Sequence, residues 1–129
     1  MKKQILVVDD DLVILKLLNF VLIKEYNLVV KNNGIEALKW LEEGNDPALI
    51  ISDIQMPFFD GHSFIKNLKI SGFYKDTPVL ILSGTENLPA QMDAMPFKVD
   101  GCIKKPFNPT DLKEKIQSLL SKHDSNSVN

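Results

Sequence analysis

The sequence predicts an α/β domain, a doubly wound (βα)5 three-layer sandwich around a parallel five-stranded sheet. Three observations predict it. Five short apolar runs stand apart along the chain: Ile5–Val8, Leu28–Val30, Leu49–Ile51, Val79–Leu82 and Cys102–Ile103. Their starts lie 23, 21, 30 and 23 residues apart, so each gap has room for one crossover helix. The runs are uninterrupted rather than alternating, which suits strands buried on both faces of a parallel sheet.

The gaps read as helices. Asp11 can cap a helix over Leu12–Lys24. After the turn signal Asn32-Asn33-Gly34, the segment Ile35–Glu43 carries Ala37, Leu38 and Leu41 on one face, with Trp40 expected to pack on the same helix. Asp60, read as a turn or cap residue, precedes a helix to about Ile70 with Phe64, Ile65 and Leu68 apolar. Between Pro89 and Pro96 only about two turns of helix fit, because the residue before a proline disfavours helix. Asn108-Pro109-Thr110-Asp111 places a cap, a proline at the first helical position and an acid in the first turn. That last helix is expected to run to about Ser121 and to bury Leu112, Ile116, Leu119 and Leu120. One domain over residues 1–121 follows, with a polar, disordered tail or linker start at 122–129.

Composition narrows the function. At 129 residues the chain has one domain's worth of sequence. The net charge is -2, and all 15 basic residues are Lys. Without Arg the usual bidentate reader of guanine and phosphate is missing, so nucleic-acid binding is not expected within these residues. A single cysteine excludes an internal disulfide framework and any Cys-based zinc site, and fits a cytoplasmic setting. The longest apolar-rich stretch, Leu12–Ile23, is broken by Lys16 and Asn19 and is shorter than the roughly 20 residues a membrane span needs.

Polar groups cluster where the strands end. The first strand ends in Asp9-Asp10-Asp11, the third in Ser52-Asp53, the fourth in Ser83-Gly84-Thr85, and Lys104-Lys105-Pro106 follows the fifth. In a doubly wound sheet the ligand crevice lies at these carboxyl ends, where the strand order reverses. With order 2-1-3-4-5, Asp9, Asp10 and Asp53 share one pocket. Carboxylates packed together repel, and a hard divalent cation such as Mg²⁺, which takes oxygen ligands and keeps open water positions, relieves them. Lys105 adds a cation for a phosphate, Ser83 a hydroxyl, and Gly84 an uncrowded approach. The set matches the chemistry of an aspartyl-phosphate.

These residues resemble the receiver domain of two-component response regulators, a flavodoxin-like family that includes the chemotaxis regulator. The matching pieces are Ile5-Leu6-Val7-Val8-Asp9-Asp10-Asp11, Asp53-Ile54-Gln55-Met56-Pro57-Phe58-Phe59-Asp60-Gly61, Leu82-Ser83-Gly84 and Lys105-Pro106-Phe107. The resemblance covers about residues 3–121. It implies that Asp53 accepts a phosphoryl group from a histidine kinase, a phosphotransfer protein or a small phosphodonor. It implies Mg²⁺ (or Mn²⁺) held by Asp10, Asp53 and the backbone carbonyl of Gln55, with Asp9 acting through water. It implies that Lys105 and Ser83 contact the phosphoryl group, that the Lys105–Pro106 bond is cis, and that output passes through protein–protein contact.

Two features depart from the family pattern. Where the family keeps Tyr or Phe as a switch residue, this chain has Cys102, a small side chain that cannot fill or vacate a large space. An atypical output face is expected, together with the short helix between Pro89 and Pro96. The first helix is apolar nearly all round, which predicts exposed apolar surface, either a docking site for the phosphodonor or a broader core. Other residues take plainer readings: Asp11 as a helix cap, Lys104 solvated, Cys102 an inert core thiol, His62 and His123 at the surface. A haloacid-dehalogenase-type phosphatase would need an acid two residues after its nucleophile, where Gln55 stands. A scaffold that keeps the fold without the switch is the remaining alternative.

Overall fold

The computed structural model describes residues 2–54, 61–70, 74, 76–84 and 99–127, with side chains at all of these except 61–63, 69, 70 and 123–127. The short helix expected between Pro89 and Pro96 lies outside them, as does Asp60. Five strands, β1 (Lys3–Val8), β2 (Tyr26–Lys31), β3 (Leu49–Asp53), β4 (Val79–Ser83) and β5 (Gly101–Lys104), form one parallel sheet in the order β2-β1-β3-β4-β5. The described helices are α1 (Leu12–Leu22), α2 (Gly34–Glu42), α3 (Gly61–Ile70) and α4 (Pro109–Ser127). The predicted fold class and strand order are those observed.

Strand alternation splits the core into two layers. Ile5, Val7, Leu49, Ile51, Leu80 and Leu82 point to one face, against Leu15, Leu18 and Leu22 of α1 and Leu112, Ile116, Leu119 and Leu120 of α4. Leu6, Val8, Ile50, Val79 and Ile81 point to the other, against Ala37 and Leu41 of α2 and Phe64, Ile65 and Leu68 of α3. Each fully buried side chain of this size contributes about 1.5–3 kcal/mol of transfer free energy. The central strands β3 and β4 are buried throughout, as their apolar runs predict. The edge strand β2 is only half covered, with Val30 39% exposed, because among the described residues no strand pairs with its outer side. Cys102 in β5, the other edge strand of the described sheet, is likewise half-buried rather than a core thiol.

The caps read from the sequence at Asp11 and Asn108 form, and Asn33, read only as part of a turn, caps α2 as well. Asp11 accepts from the amides of Val13 and Ile14 at 2.9 and 3.4 Å, and Asn33 from that of Glu36 at 2.9 Å. Asn108 accepts from Thr110 and Asp111 at 2.8 and 3.3 Å. Gly44, at φ 97°, turns the chain out of α2 through the left-handed region that favours glycine. At Gly101 the packing is close: a Cβ there would lie 2.7 Å from Cε of Lys115 on α4, which could swing aside, and 3.3 Å from Cδ1 of Leu80. The segment expected to begin a disordered tail is instead helical to Ser127. No glycine or proline follows Pro109, so nothing in the sequence stops the helix at Ser121.

Tyr74 ties the segment after α3 to the end of α2 in the same layer, its hydroxyl donating to the carbonyls of Leu41 and Asn45, both at 2.8 Å. Burial, with the charge of Asp46, raises its pKa above the ordinary 10.0. The phenol is therefore favoured in the folded state, and its contribution holds below pH 10 and is lost as pH rises beyond it. Tyr74→Phe is expected to lower stability by about 1 kcal/mol in urea melts at neutral pH, and to flatten the alkaline fall. Among the described residues no helix is long and apolar enough to cross a membrane.

Candidate functional site

The parallel register brings the carboxyl ends of four strands level. Val8 pairs with Ser52, Asp53 with Leu82, and Ser83 with Lys104. Neighbouring β1 and β3 mark the point where the strand order reverses, and their crossovers leave on opposite faces. The residues just past these ends therefore converge on one crevice.

Asp9 lies at its floor with no solvent exposure. Its Oδ1 accepts from the amide of Asp11 at 2.9 Å and its Oδ2 from Nζ of Lys105 at 2.9 Å. Asp53 is 6% exposed; its Oδ1 accepts from the amide of Ile54 at 2.8 Å, and its Oδ2 lies 3.5 Å from Nζ of Lys105. Asp10 is exposed at the mouth. One carboxylate oxygen from each of Asp9, Asp10 and Asp53 lies within 4.8 Å of the others. Ser83 is buried at the end of β4, with Gly84 exposed beside it and nothing within 4 Å of where a Cβ would stand. The Lys105–Pro106 bond is cis, and the amide of Lys105 donates to the carbonyl of Ser83 at 2.8 Å.

Burial alone would lower the Lys105 pKa. The hydrogen bond and charge of Asp9, with the charge and hydrogen bond of Asp53, outweigh it and raise Lys105 above 10.5. The ammonium stays charged, yet among the described residues it is the one cation that pairs with this group of three carboxylates. At an effective dielectric near 20, two like charges 4 Å apart repel by about 4 kcal/mol. Three hard oxygen donors with excess negative charge, one of them at the crevice mouth, fit a hard divalent cation.

The structure thus brings together the predicted Asp9, Asp10, Asp53, Ser83, Gly84 and Lys105. Gln55 and Thr85 lie outside the described residues, as do the side chains of His62 and His123. Asp11 is the helix cap expected of it, and Lys104 is exposed. Cys102 pairs with Ile81 and packs against the α2–α3 layer, with no bulky switch ring in its place. The amides of Ile54 and Asp11, which hold the carboxylates of Asp53 and Asp9, were missed from the sequence, since no side-chain pattern announces a backbone donor.

Comparison with known proteins agrees with this geometry. Residues 5–117 match the family described as response regulator receiver domain. The transcriptional regulatory protein CpxR homolog of Haemophilus influenzae is 30% identical over 98% of this chain and 54% of its own length. Response regulator Rre1 of Synechocystis is 28% identical over 80% of this chain and 44% of its own. The chain spans about half the length of the curated relatives it matches. The chemotaxis response regulator CheY4 of Vibrio cholerae superposes with a TM-score of 0.82 at 29% identity, covering 92% of this chain and 99% of that one. Sheet order, crevice and family match agree: the chain belongs to the response regulator receiver domain family.

Proposed function

We propose that this chain is a phosphoacceptor switch whose acceptor is Asp53. The observation that carries this is the crevice itself: Asp53 lies within 4.8 Å of Asp9 and Asp10, with the Lys105 ammonium 3.5 Å from its Oδ2. An Asp53 oxygen attacks phosphorus, the bond to the donor's histidine nitrogen or small leaving group breaks, and the phosphoryl group stays on Asp53 as an acyl phosphate. Lys105 then pairs with a phosphoryl oxygen, and the Ser83 hydroxyl donates to another. Asp10, Asp53 and the carbonyl of Gln55 would hold Mg²⁺ (or Mn²⁺), with Asp9 acting through water. The cation supplies charge neutralisation for the transferring group. The chain promotes only its own phosphorylation and dephosphorylation. In this reading it works in the cytoplasm, meets a histidine kinase or phosphotransfer protein near α1, and signals by contact with another protein.

The test is intact-mass spectrometry after incubation with phosphoramidate or acetyl phosphate. The expected result is one added phosphoryl group with Mg²⁺ present and none after chelation. No adduct on the wild type with Mg²⁺ overturns the reading. Mg²⁺ alone is also expected to raise the melting temperature, by the equivalent of about 2.7 kcal/mol at a hundred times its dissociation constant.

Cys102 favours one second reading, an interaction scaffold that keeps the fold without the switch, because a half-buried thiol has no ring to carry Ser83 movement outward. It predicts equal partner capture by the wild type and Asp53→Asn, with and without beryllofluoride. Capture that changes with beryllofluoride only in the wild type excludes it.

A further inference from the structure

The buried hydroxyl of Ser52 has no part in the chemistry above. Ser52 ends the apolar run of β3 just before Asp53 and has no solvent exposure. Strand alternation points it into the α2–α3 layer, in a row whose other members are apolar. Val8 and Ile81 flank it on the adjoining strands, and Ile50 precedes it by two residues on its own. A hydroxyl in such a row gives up its water and stands where an aliphatic side chain would pack. Departures of this kind from a strand's own pattern concentrate at functional sites.

The hydroxyl is bonded to the next residue. Oγ of Ser52 donates to the carbonyl of Asp53 at 2.8 Å. That carbonyl and the amide of Ile54 belong to one planar peptide unit. The amide end of the same unit donates to Oδ1 of Asp53 at 2.8 Å. Holding the oxygen at one end fixes the tilt of the plane, and so fixes where its N–H points. The Ile54 side chain, 3% exposed in the α2–α3 layer, anchors the far side of the unit. With Oδ1 on this amide, Oδ2 is turned toward Nζ of Lys105, 3.5 Å away. β1 pairs with β3 as far as Val8 and Ser52, so the peptide lies just past that ladder, where a side-chain bond can decide its tilt.

We propose that Ser52 is a positioning residue for phosphoryl transfer: its hydroxyl, acting through the Asp53–Ile54 peptide, holds the Asp53 carboxylate in its attacking orientation. The inference rests on the phosphoacceptor reading. Ser52 is closed off from solvent, so it acts on the nucleophile rather than on the donor. A misplacement of about 1 Å in a reacting group can slow a reaction by about 100-fold. A lost bond that lets the peptide tilt by less than that costs less.

The test compares rates of phosphoryl uptake from acetyl phosphate at saturating Mg²⁺, read by intact mass well below the melting temperature. Ser52→Ala is expected to load about tenfold more slowly than the wild type. Ser52→Thr keeps the hydroxyl and is expected to recover most of that rate. Tyr74→Phe is the control for stability. It also removes one hydrogen-bonded hydroxyl, but at the opposite edge of the sheet, before β3 and β4 begin, and should load like the wild type. Hydrogen exchange reads the peptide itself. In Ser52→Ala the amide of Ile54 should exchange about tenfold faster, while that of Ile51 in the same strand changes little. A Ser52→Ala rate equal to that of the wild type overturns the proposal. So does a loss of rate shared by Tyr74→Phe, a folded Ser52→Thr as slow as Ser52→Ala, or a slow Ser52→Ala whose Ile54 amide exchanges as before. Should the added methyl group unfold Ser52→Thr, the comparison of Ser52→Ala with Tyr74→Phe still decides. A wild type that gains no phosphoryl group refutes the acceptor reading, and this inference with it. A loaded wild type with an unaffected Ser52→Ala refutes this inference alone.

Discussion

Asp53→Asn is expected to take up no phosphoryl group under conditions that load the wild type fully. An amide cannot supply the carboxylate lone pair that forms the acyl phosphate, and the rest of the crevice is a poor substitute. Asp9 is engaged through both oxygens, with Lys105 and with the amide of Asp11, and Asp10 is at the mouth. The same substitution removes one of three crowded negative charges. Repulsions from Asp9 and Asp10 vanish together with one attraction to Lys105, so the metal-free variant should be more stable, by about 1 kcal/mol. Intact-mass spectrometry and thermal melting read both consequences from one preparation. Lost uptake with raised stability identifies Asp53 as the acceptor. Lost uptake with lowered stability would mean only a damaged fold.

Lys105→Met is expected to have the largest effect on stability. Its ammonium is the partner of Asp9, a carboxylate with no solvent exposure, and its side chain is itself only 18% exposed. Removing one member of such a pair strands the other, and losses of about 3–5 kcal/mol are typical of fully buried pairs. The opening toward solvent at Asp10 tempers this to about 2–3 kcal/mol. A divalent cation can restore the missing positive charge, so the variant should gain more from Mg²⁺ in a melting experiment than the wild type gains. A variant destabilised equally with and without Mg²⁺ would assign Lys105 a packing role unrelated to the crevice charge.

The architecture was legible because its signals are local and repeated. Five apolar runs at crossover spacing define the strands, and Asp11 and Asn108 each announce a helix start. The crevice was legible for a related reason. In a parallel sheet every strand's carboxyl end lies on the same edge, so Asp9, Asp10, Asp53, Ser83 and Lys105 meet once the order is known. What escaped belongs to interactions that no side-chain pattern encodes. The amides on Asp9 and Asp53 are backbone donors set by loop shape. The exposure of Val30 and Cys102 follows from their strands lying at the sheet edges, a property of order rather than of composition. The end of α4 is not marked in the sequence, because polarity alone is no stop signal and a polar segment without glycine or proline can continue a helix.

The three consecutive aspartates have a mechanical consequence. Asp9 belongs to the crevice and Asp11 to the helix, and the amide of Asp11 is bonded to the carboxylate of Asp9. The first turn of α1 and the crevice floor thus share one short, rigid piece of backbone. α1 cannot slide along its axis without breaking its own cap or dragging Asp9 from Lys105. The linkage works as a gauge block. It would set how far a phosphodonor docked on α1, as proposed, stands from the proposed acceptor oxygen.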